Sequence, residues 1–211
     1  MLLLSSRTDR LGKCVLRGNG VPNRRLIDMR RDISDDHPIR HFFVEAIHDS
    51  FSRELGMRNA EDVESYIGNM LVDFIDIDNV FDIHDMFGQP VESVTDMLLE
   101  GDILELAASF DREREVHRHI GDFLLFWSGL FPEFLKQMKA PGSRDVLLDP
   151  IKQGRFSYYV VSTFEHGSYA HEAPIFKKLS NNFETYRYGL GLVRASFEGF
   201  ALQGWTDGFP A

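Results

Sequence analysis

The stretch PIFKKLSNNFETYRYGLGLVRASF, residues 174–197, carries the most regular apolar pattern in the chain. Its large apolar side chains recur at alternating intervals of three and four residues, which is the spacing of one face of an α-helix. They are Phe176, Leu179, Phe183, Tyr186, Leu190, Val193 and Phe197. Pro174 suits the first turn of a helix, where a missing N–H does no harm. We therefore predict a long amphipathic helix over residues 174–197.

This apolar stripe could either fill the core of one chain or pair two chains. The positions that flank it carry few of the alternating charges that select partners in a free-standing coiled coil. They include Asn181, Asn182, Thr185, Gly189 and Ala195. We therefore expect the stripe to lie inside the monomer and to face Phe123 and Trp127 of a central helix. A homodimer formed through the same face is the alternative.

A second helical pattern runs through the middle of the chain. Its apolar residues are Val116, Ile120, Phe123, Leu124 and Trp127. Leu104, Ala107 and Phe110 continue the period upstream. Asp102 followed by Glu105 has the form of a capping box, which is typical of a helix start. These features predict a long central helix or two abutting helices.

Helix start signals divide the rest of the chain. At Asp36 and at Asp149 an acidic capping residue comes shortly before a proline that suits a first helical turn. Residues 151–169 are rich in aromatic and β-branched side chains that would also suit a strand, but their start signal favours a helix. Asn59 is the predicted cap of another helix.

Taken together, these patterns predict the fold class. We expect an all-α, single-domain bundle of roughly six to eight helices over residues 37–211, with the long central and C-terminal helices in its core. We expect residues 1–36 to form a basic, partly irregular N-terminal arm.

The charge balance argues against a nucleic-acid-binding protein. The formal net charge is -10 at pH 7, and such a field repels phosphate backbones. The N-terminal arm is the basic exception, through Arg7, Arg10, Lys13, Arg17, Arg24, Arg25, Arg30 and Arg31. We read this arm as solvated or docked on the acidic body, and we do not expect nucleic acid as a partner.

The single cysteine and the opening residues bear on localisation. Cys14 alone can form neither an intramolecular disulfide nor a thiolate metal cluster. The apolar run Met1–Leu4 is much shorter than a signal-peptide core or a membrane span. We therefore expect a cytoplasmic protein with no membrane partner.

Familiar cofactor and metal motifs are absent from the sequence. It contains no phosphate-binding loop, no nucleophile elbow, no C-x-x-C and no H-E-x-x-H. His117 and His119 would point to opposite sides of a helix, and Glu45 with His48 is only one of the two E-x-x-H motifs that a di-iron bundle requires. We therefore predict no cofactor and no bound metal, and we assign no catalytic residue.

Asp122 is the strongest candidate for a functional side chain. The run Phe123–Trp127 is apolar on every side, so we expect this half of the helix to be surrounded, and a carboxylate there needs hydrogen-bond donors. His119, one turn earlier, is the nearest predicted partner. Partners from later helices are Tyr158, Tyr159, Arg187 and Arg194. His119, Asp122, Tyr158 and Tyr159 form the candidate ligand-binding pocket, and the alternative is a buried polar network that sets helix register.

The same region resembles a known motif. Residues 118–132 read R-H-x-G-D-x-x-L-F-x-x-G-x-F-P, which resembles a segment of an uncharacterised bacterial family of helical proteins of unknown function. Tyr158-Tyr159 and Gly167-Ser168-Tyr169 resemble a second signature of that family. The resemblance covers about the last two thirds of the chain. It implies a helical fold and brings no activity, substrate or catalytic residue.

Two functions follow as hypotheses. The first is a non-enzymatic bacterial cytosolic module that binds a protein partner or a small ligand. The alternative is an enzyme or metal-dependent protein with a buried polar site around His119, Asp122, Tyr158 and Tyr159. An enzyme should have a concave pocket with convergent polar groups, whereas a module should have a filled interior and an apolar surface patch.

Overall fold

The computed structural model describes residues 37–57, 60–102, 105–107 and 109–206, with side chains through residue 198. Every regular element in these ranges is helical. The α-helices are α1 (Pro38–His48), α2 (Glu61–Asp73), α3 (Ile77–Val80), α4 (Val94–Gly101), α5 (Phe110–Leu130), α6 (Phe134–Met138), α7 (Pro150–Ser162), α8 (Ala173–Asn181) and α9 (Phe183–Thr206). A π-helical segment (Asp49–Glu54) continues α1, and a 3-10 turn (Gly167–Tyr169) precedes α8.

The all-α, single-domain prediction is confirmed. Nine α-helices lie within the described ranges, against the six to eight expected, and the difference comes from α3 and α6, which have only 4 and 5 residues. No helix of the described part is long and apolar enough to cross a membrane. The predicted basic arm, 1–36, and the predicted caps Asp36 and Asn59 lie outside the described residues.

Capping side chains explain where the main helices begin. The Asp149 carboxylate accepts hydrogen bonds from the backbone N–H groups of Ile151 (3.1 Å) and Lys152 (3.2 Å) at the start of α7. Ser109 caps α5 in the same way, because its hydroxyl accepts from the N–H of Arg112 (3.2 Å). The preference for helix over strand after Asp149 is therefore confirmed.

Two predicted boundaries were wrong. The stretch 174–197 is not one helix, since α8 ends at Asn181 and Asn182 has φ -117° and ψ 25° before α9 begins. The Asn182 side chain donates to the carbonyl of Lys178 (3.2 Å), a local bond that competes with helix continuation. Asp102 starts a turn instead of a helix, because its carbonyl accepts from the N–H groups of Glu105, Leu106 and Ala107.

The core lies where α5 packs between α4, α7 and α9, while α2 packs on α1 and α8 on α7. The residues of the predicted C-terminal stripe from Phe176 to Val193 are all buried within the monomer, so their placement in the core is confirmed. The C-terminal helix α9 packs on the central helix α5, as expected. Phe183 lies against Gly154 and Tyr158 of α7, and Leu190 lies against Gly129 of α5. The Trp127 ring stacks on the Phe134 ring of α6, with the two ring centroids 4.4 Å apart.

We expect Gly189→Ala to lower the free energy of unfolding by about 1 to 3 kcal/mol, the usual cost of overpacking a core. A Cβ atom at position 189 would lie 2.1 Å from Cε1 of Phe51, so that the aromatic ring or the helix would have to move. Gly191→Ala is the matched control, because its Cβ would meet only the Gly129 carbonyl oxygen at 3.8 Å. Gly191→Ala should raise the free energy of unfolding by up to about 1 kcal/mol, because alanine has a higher helix propensity than glycine. Urea unfolding measures the free energy of unfolding of both variants. Equal free energies for the two would contradict the packing of α9 on Phe51.

Candidate functional site

Asp122 is a buried carboxylate held by two tyrosines from other helices. It lies on α5 and is 9% exposed. The Tyr66 hydroxyl, on α2, lies 2.7 Å from Oδ1 and 2.9 Å from Oδ2 of Asp122 and donates its proton to this carboxylate. The Tyr158 hydroxyl, on α7, donates to Oδ1 at 2.8 Å. The carboxylate therefore ties three helices together.

Glycine and aromatic contacts place the two hydroxyl groups. A Cβ atom at Gly121 would lie 2.6 Å from the Tyr158 ring, so only glycine allows α7 to bring that ring so close to α5. Phe176 of α8 contacts both tyrosine rings, with centroids 5.1 Å from Tyr66 and 5.8 Å from Tyr158. The hydroxyls converge on Asp122 because α8 supports both rings.

Burial dominates the electrostatics of this cluster. It raises the pKa of Asp122 to about 6, although the Arg118 charge and the two tyrosine hydrogen bonds pull that pKa down. Burial, followed by the Asp122 charge, raises the pKa values of Tyr66 and Tyr158 well above the usual tyrosine value. Both phenols therefore stay protonated at neutral pH and serve as donors to the carboxylate.

The predicted site residues do not all meet. Asp122 and Tyr158 are hydrogen-bonded, as above. His119 lies elsewhere: its Nε2 donates to the Val80 carbonyl (3.1 Å), and desolvation lowers its pKa to about 4. Tyr159 is 46% exposed, with the Lys177 ammonium 4.7 Å from its ring centroid.

Helix geometry explains these placements. Neighbouring residues on a helix point about 100° apart, so Tyr158 and Tyr159 cannot both face α5. The expected hydrogen bond between His119 and Asp122 is not among those of the described residues. Arg194, another expected partner, binds the Leu130 carbonyl (2.7 Å) and Glu133.

The main donor that sequence reasoning missed is Tyr66. Tyr66 recurs at helical spacing with the apolar residues Val63, Ile67 and Met70 of α2, and it lies 56 residues from Asp122 in sequence. A tyrosine inside an apolar stripe is itself a signal, because a buried phenol hydroxyl needs a hydrogen-bond partner. The sequence indicates that a partner exists without indicating which one.

An open cleft of about 370 Å³ lies beside the N-terminal half of α5. Its lining residues are Ser109, Asp111, Arg112, Arg114, Glu115, Arg118 and Tyr169. Asp122, Tyr66 and Tyr158 are not among them. Arg118 lies one helical turn before Asp122, lines the cleft and acts on the Asp122 charge through space. The cleft is therefore the accessible polar site next to the closed cluster.

Two histidines of the bundle are hydrogen-bonded to other side chains. His48 is hydrogen-bonded to Glu64 at 2.7 Å, and His117 to Ser157 at 3.2 Å. Across the ranges that the structure describes, no three His, Cys, Asp or Glu residues are grouped so that they could hold a metal ion.

Comparison of the chain with protein-family models, curated proteins and solved structures gave no match.

We expect the raised pKa of Asp122 to appear as a pH dependence of stability. The pKa of Asp122 is about 6 in the folded chain, against a reference value of 3.8. Between about pH 4 and 6 the folded state therefore keeps a proton on this carboxyl group that the unfolded chain has lost. The stability from this group is complete below about pH 4 and is lost as the pH rises through 6. Asp122→Asn removes the titration. The stability of the wild type relative to this variant should therefore fall by about 2 to 3 kcal/mol between pH 4 and 7.

Urea unfolding of both proteins at half-unit pH steps measures this difference. The other carboxyl groups titrate in both proteins and cancel in the comparison. Parallel stability curves would show that the Asp122 pKa is not raised.

Proposed function

We propose that the protein is a non-enzymatic, bacterial cytosolic binding module, and that its binding surface is the open cleft beside α5. The observation that carries this proposal is the closure of the Asp122 cluster. Its carboxylate already accepts from two tyrosine hydroxyls at 2.7 to 2.9 Å and lies in a packed seam between helices. A carboxylate enclosed in this way is better suited to fixing the register of the helices than to binding a substrate.

Exposed apolar side chains at the start of α5 and in the 82–90 segment support a binding role. Arg112 donates to the His84 carbonyl (3.2 Å), which fixes the 82–90 segment beside the start of α5. Met86 and Phe87 at the turn of that segment are strongly exposed, as is Phe110 at the first position of α5. Exposed large apolar side chains are typical of surfaces that bind a partner.

The alternative is an enzyme or metal-dependent protein with a buried polar site around Asp122 and Tyr158, the two of the four predicted residues that are hydrogen-bonded to each other. One observation favours it: a carboxyl group with a pKa near 6 is suited to proton transfer at neutral pH. This function requires the tyrosines to move away and admit a substrate, because a general acid or base must reach its substrate directly or through one water molecule.

Nuclear magnetic resonance with a fragment library separates the two functions. We expect fragments to shift the amide resonances of residues 109–118 and Tyr169, to leave the side-chain hydroxyl signals of Tyr66 and Tyr158 unchanged, and to be recovered chemically intact. Fragments that displace the tyrosine hydroxyls from Asp122, or that are converted to product, would overturn the module and support the enzyme.

A further inference from the structure

Arg118 is a cation without a direct counter-ion in the cleft. Its side chain is exposed and lines the cleft, and it makes no hydrogen bond or ion pair with the described residues. Asp122, Glu172 and Glu115 attract it only through space. An arginine guanidinium presents five N–H donors in a planar fork, a geometry that matches carboxylate and phosphate oxygens.

Arg114, one turn earlier on α5, lines the same cleft from a buried position. Its side chain is 7% exposed, its guanidinium lies 3.9 Å over the Tyr169 ring, and one nitrogen donates to Glu172. Its Nε–H is buried and has no hydrogen-bond partner in the described part of the chain. A buried charged group with an unused donor is costly unless an acceptor reaches it.

The acidic residues that line the cleft are already engaged. Asp111 accepts a hydrogen bond from the Tyr169 hydroxyl (2.9 Å), and Glu115 accepts from Arg112 (3.1 Å). The cleft also borders the first turns of α5, whose 21 aligned peptide units place a partial positive charge there. The positive charge of Arg118 is therefore left uncompensated at short range.

We propose that this cleft binds a small oxyanion group, either the phosphate or the carboxylate of a small ligand, with Arg118 as its principal contact and Arg114 as the cation beneath it. The inference rests on the proposed function, because it names the ligand class of the same cleft. A space of about 370 Å³ suits a small metabolite.

Titration of the full chain with inorganic phosphate, phenyl phosphate and succinate, followed by amide and arginine side-chain resonances, tests the proposal. We expect at least one probe to give saturable shifts at Arg114, Arg118 and Tyr169. Arg118→Gln should weaken that binding roughly ten- to a hundredfold, as expected for the loss of a charge-assisted hydrogen bond. Binding of phosphates alone would identify a phosphoryl ligand, and binding of succinate alone a carboxylate ligand.

Two further variants distinguish specific binding in the cleft from non-specific electrostatic attraction to the protein. Arg53→Gln removes one positive charge from an exposed arginine outside the cleft, and it should leave the affinity within about twofold, since distant exposed charges are screened by salt. Asp122→Asn removes the negative charge that competes for Arg118 without altering the lining of the cleft, so it should tighten binding above pH 6.

Equal weakening by Arg118→Gln and Arg53→Gln, or the absence of saturable shifts with all three probes, would overturn the oxyanion site. Neutral fragments that bound the cleft intact would in that case still support the module. Fragments converted at Asp122 would overturn the module itself, so the two failures are distinguishable.

Discussion

Phe183→Ala is expected to lower the free energy of unfolding by about 3 to 5 kcal/mol, the range for removing a large buried aromatic side chain. Phe183 is 1% exposed, and its ring packs against Gly154 and Tyr158 of α7, with the centroids of the two aromatic rings 5.9 Å apart. Alanine would lose the burial of the ring and leave a cavity where α7, α8 and α9 meet. Neighbouring Tyr158 would lose its support on one side.

Urea unfolding at two protein concentrations tenfold apart measures this loss. The result should not depend on concentration, because the ring is buried within the monomer. Phe110→Ala is the matched control: Phe110 is 70% exposed, and its loss should cost well under about 1 kcal/mol. A folded Phe183→Ala monomer of near wild-type stability that had lost a dimer seen by light scattering would instead identify the stripe as an interface.

Asp122→Ala is expected to cost about 2 to 4 kcal/mol at pH 7. The change leaves the hydroxyls of Tyr66 and Tyr158 without their acceptor, and each unsatisfied buried group costs about 1 to 3 kcal/mol. The variant also removes the cost of keeping a carboxylate in the interior, which offsets part of this loss of stability. Chemical denaturation by urea at pH 7 measures the difference.

Asp111→Ala is the control for the cluster. Asp111 also accepts a hydrogen bond from a tyrosine, Tyr169 at 2.9 Å, but at an exposed position of the same helix. Its loss should change stability by less than about 1 kcal/mol, because water replaces the lost partner. If Asp122→Ala kept wild-type stability and abolished ligand conversion or binding, Asp122 would belong to a functional site and the network interpretation would be wrong.

The helical fold was largely predictable because its signals are local. The cap and proline at Asp149 and Pro150 decided between helix and strand for α7, and the structure shows the predicted capping bonds. The break at Asn182 was not predictable, because the three-and-four spacing of the stripe continues across it. A helix can end and restart there and still present its apolar residues to one core.

The candidate site was predicted in part. A carboxylate at the entrance to an apolar helix had to find donors, and Tyr158 is one of them. Tyr66 lies among the apolar residues of α2, and nothing in that segment indicates that its hydroxyl group binds Asp122. His119 donates a hydrogen bond to the Val80 carbonyl. The position of this backbone group depends on where α3 ends, which the sequence around His119 does not indicate.

The sequence by itself determined that the chain is helical, which faces of its helices are apolar, and that Asp122 needs partners, because periodicity, capping and burial cost are properties of a segment. Only the tertiary structure decided which partners these are. The close approach of α7 to α5, permitted at Gly121, and the position of α2 bring Tyr158 and Tyr66 within 2.9 Å of one carboxylate. Arg118 faces an open cleft. Such contacts depend on the rotation of each helix about its axis and on its neighbours, and a single helical segment carries no information about either.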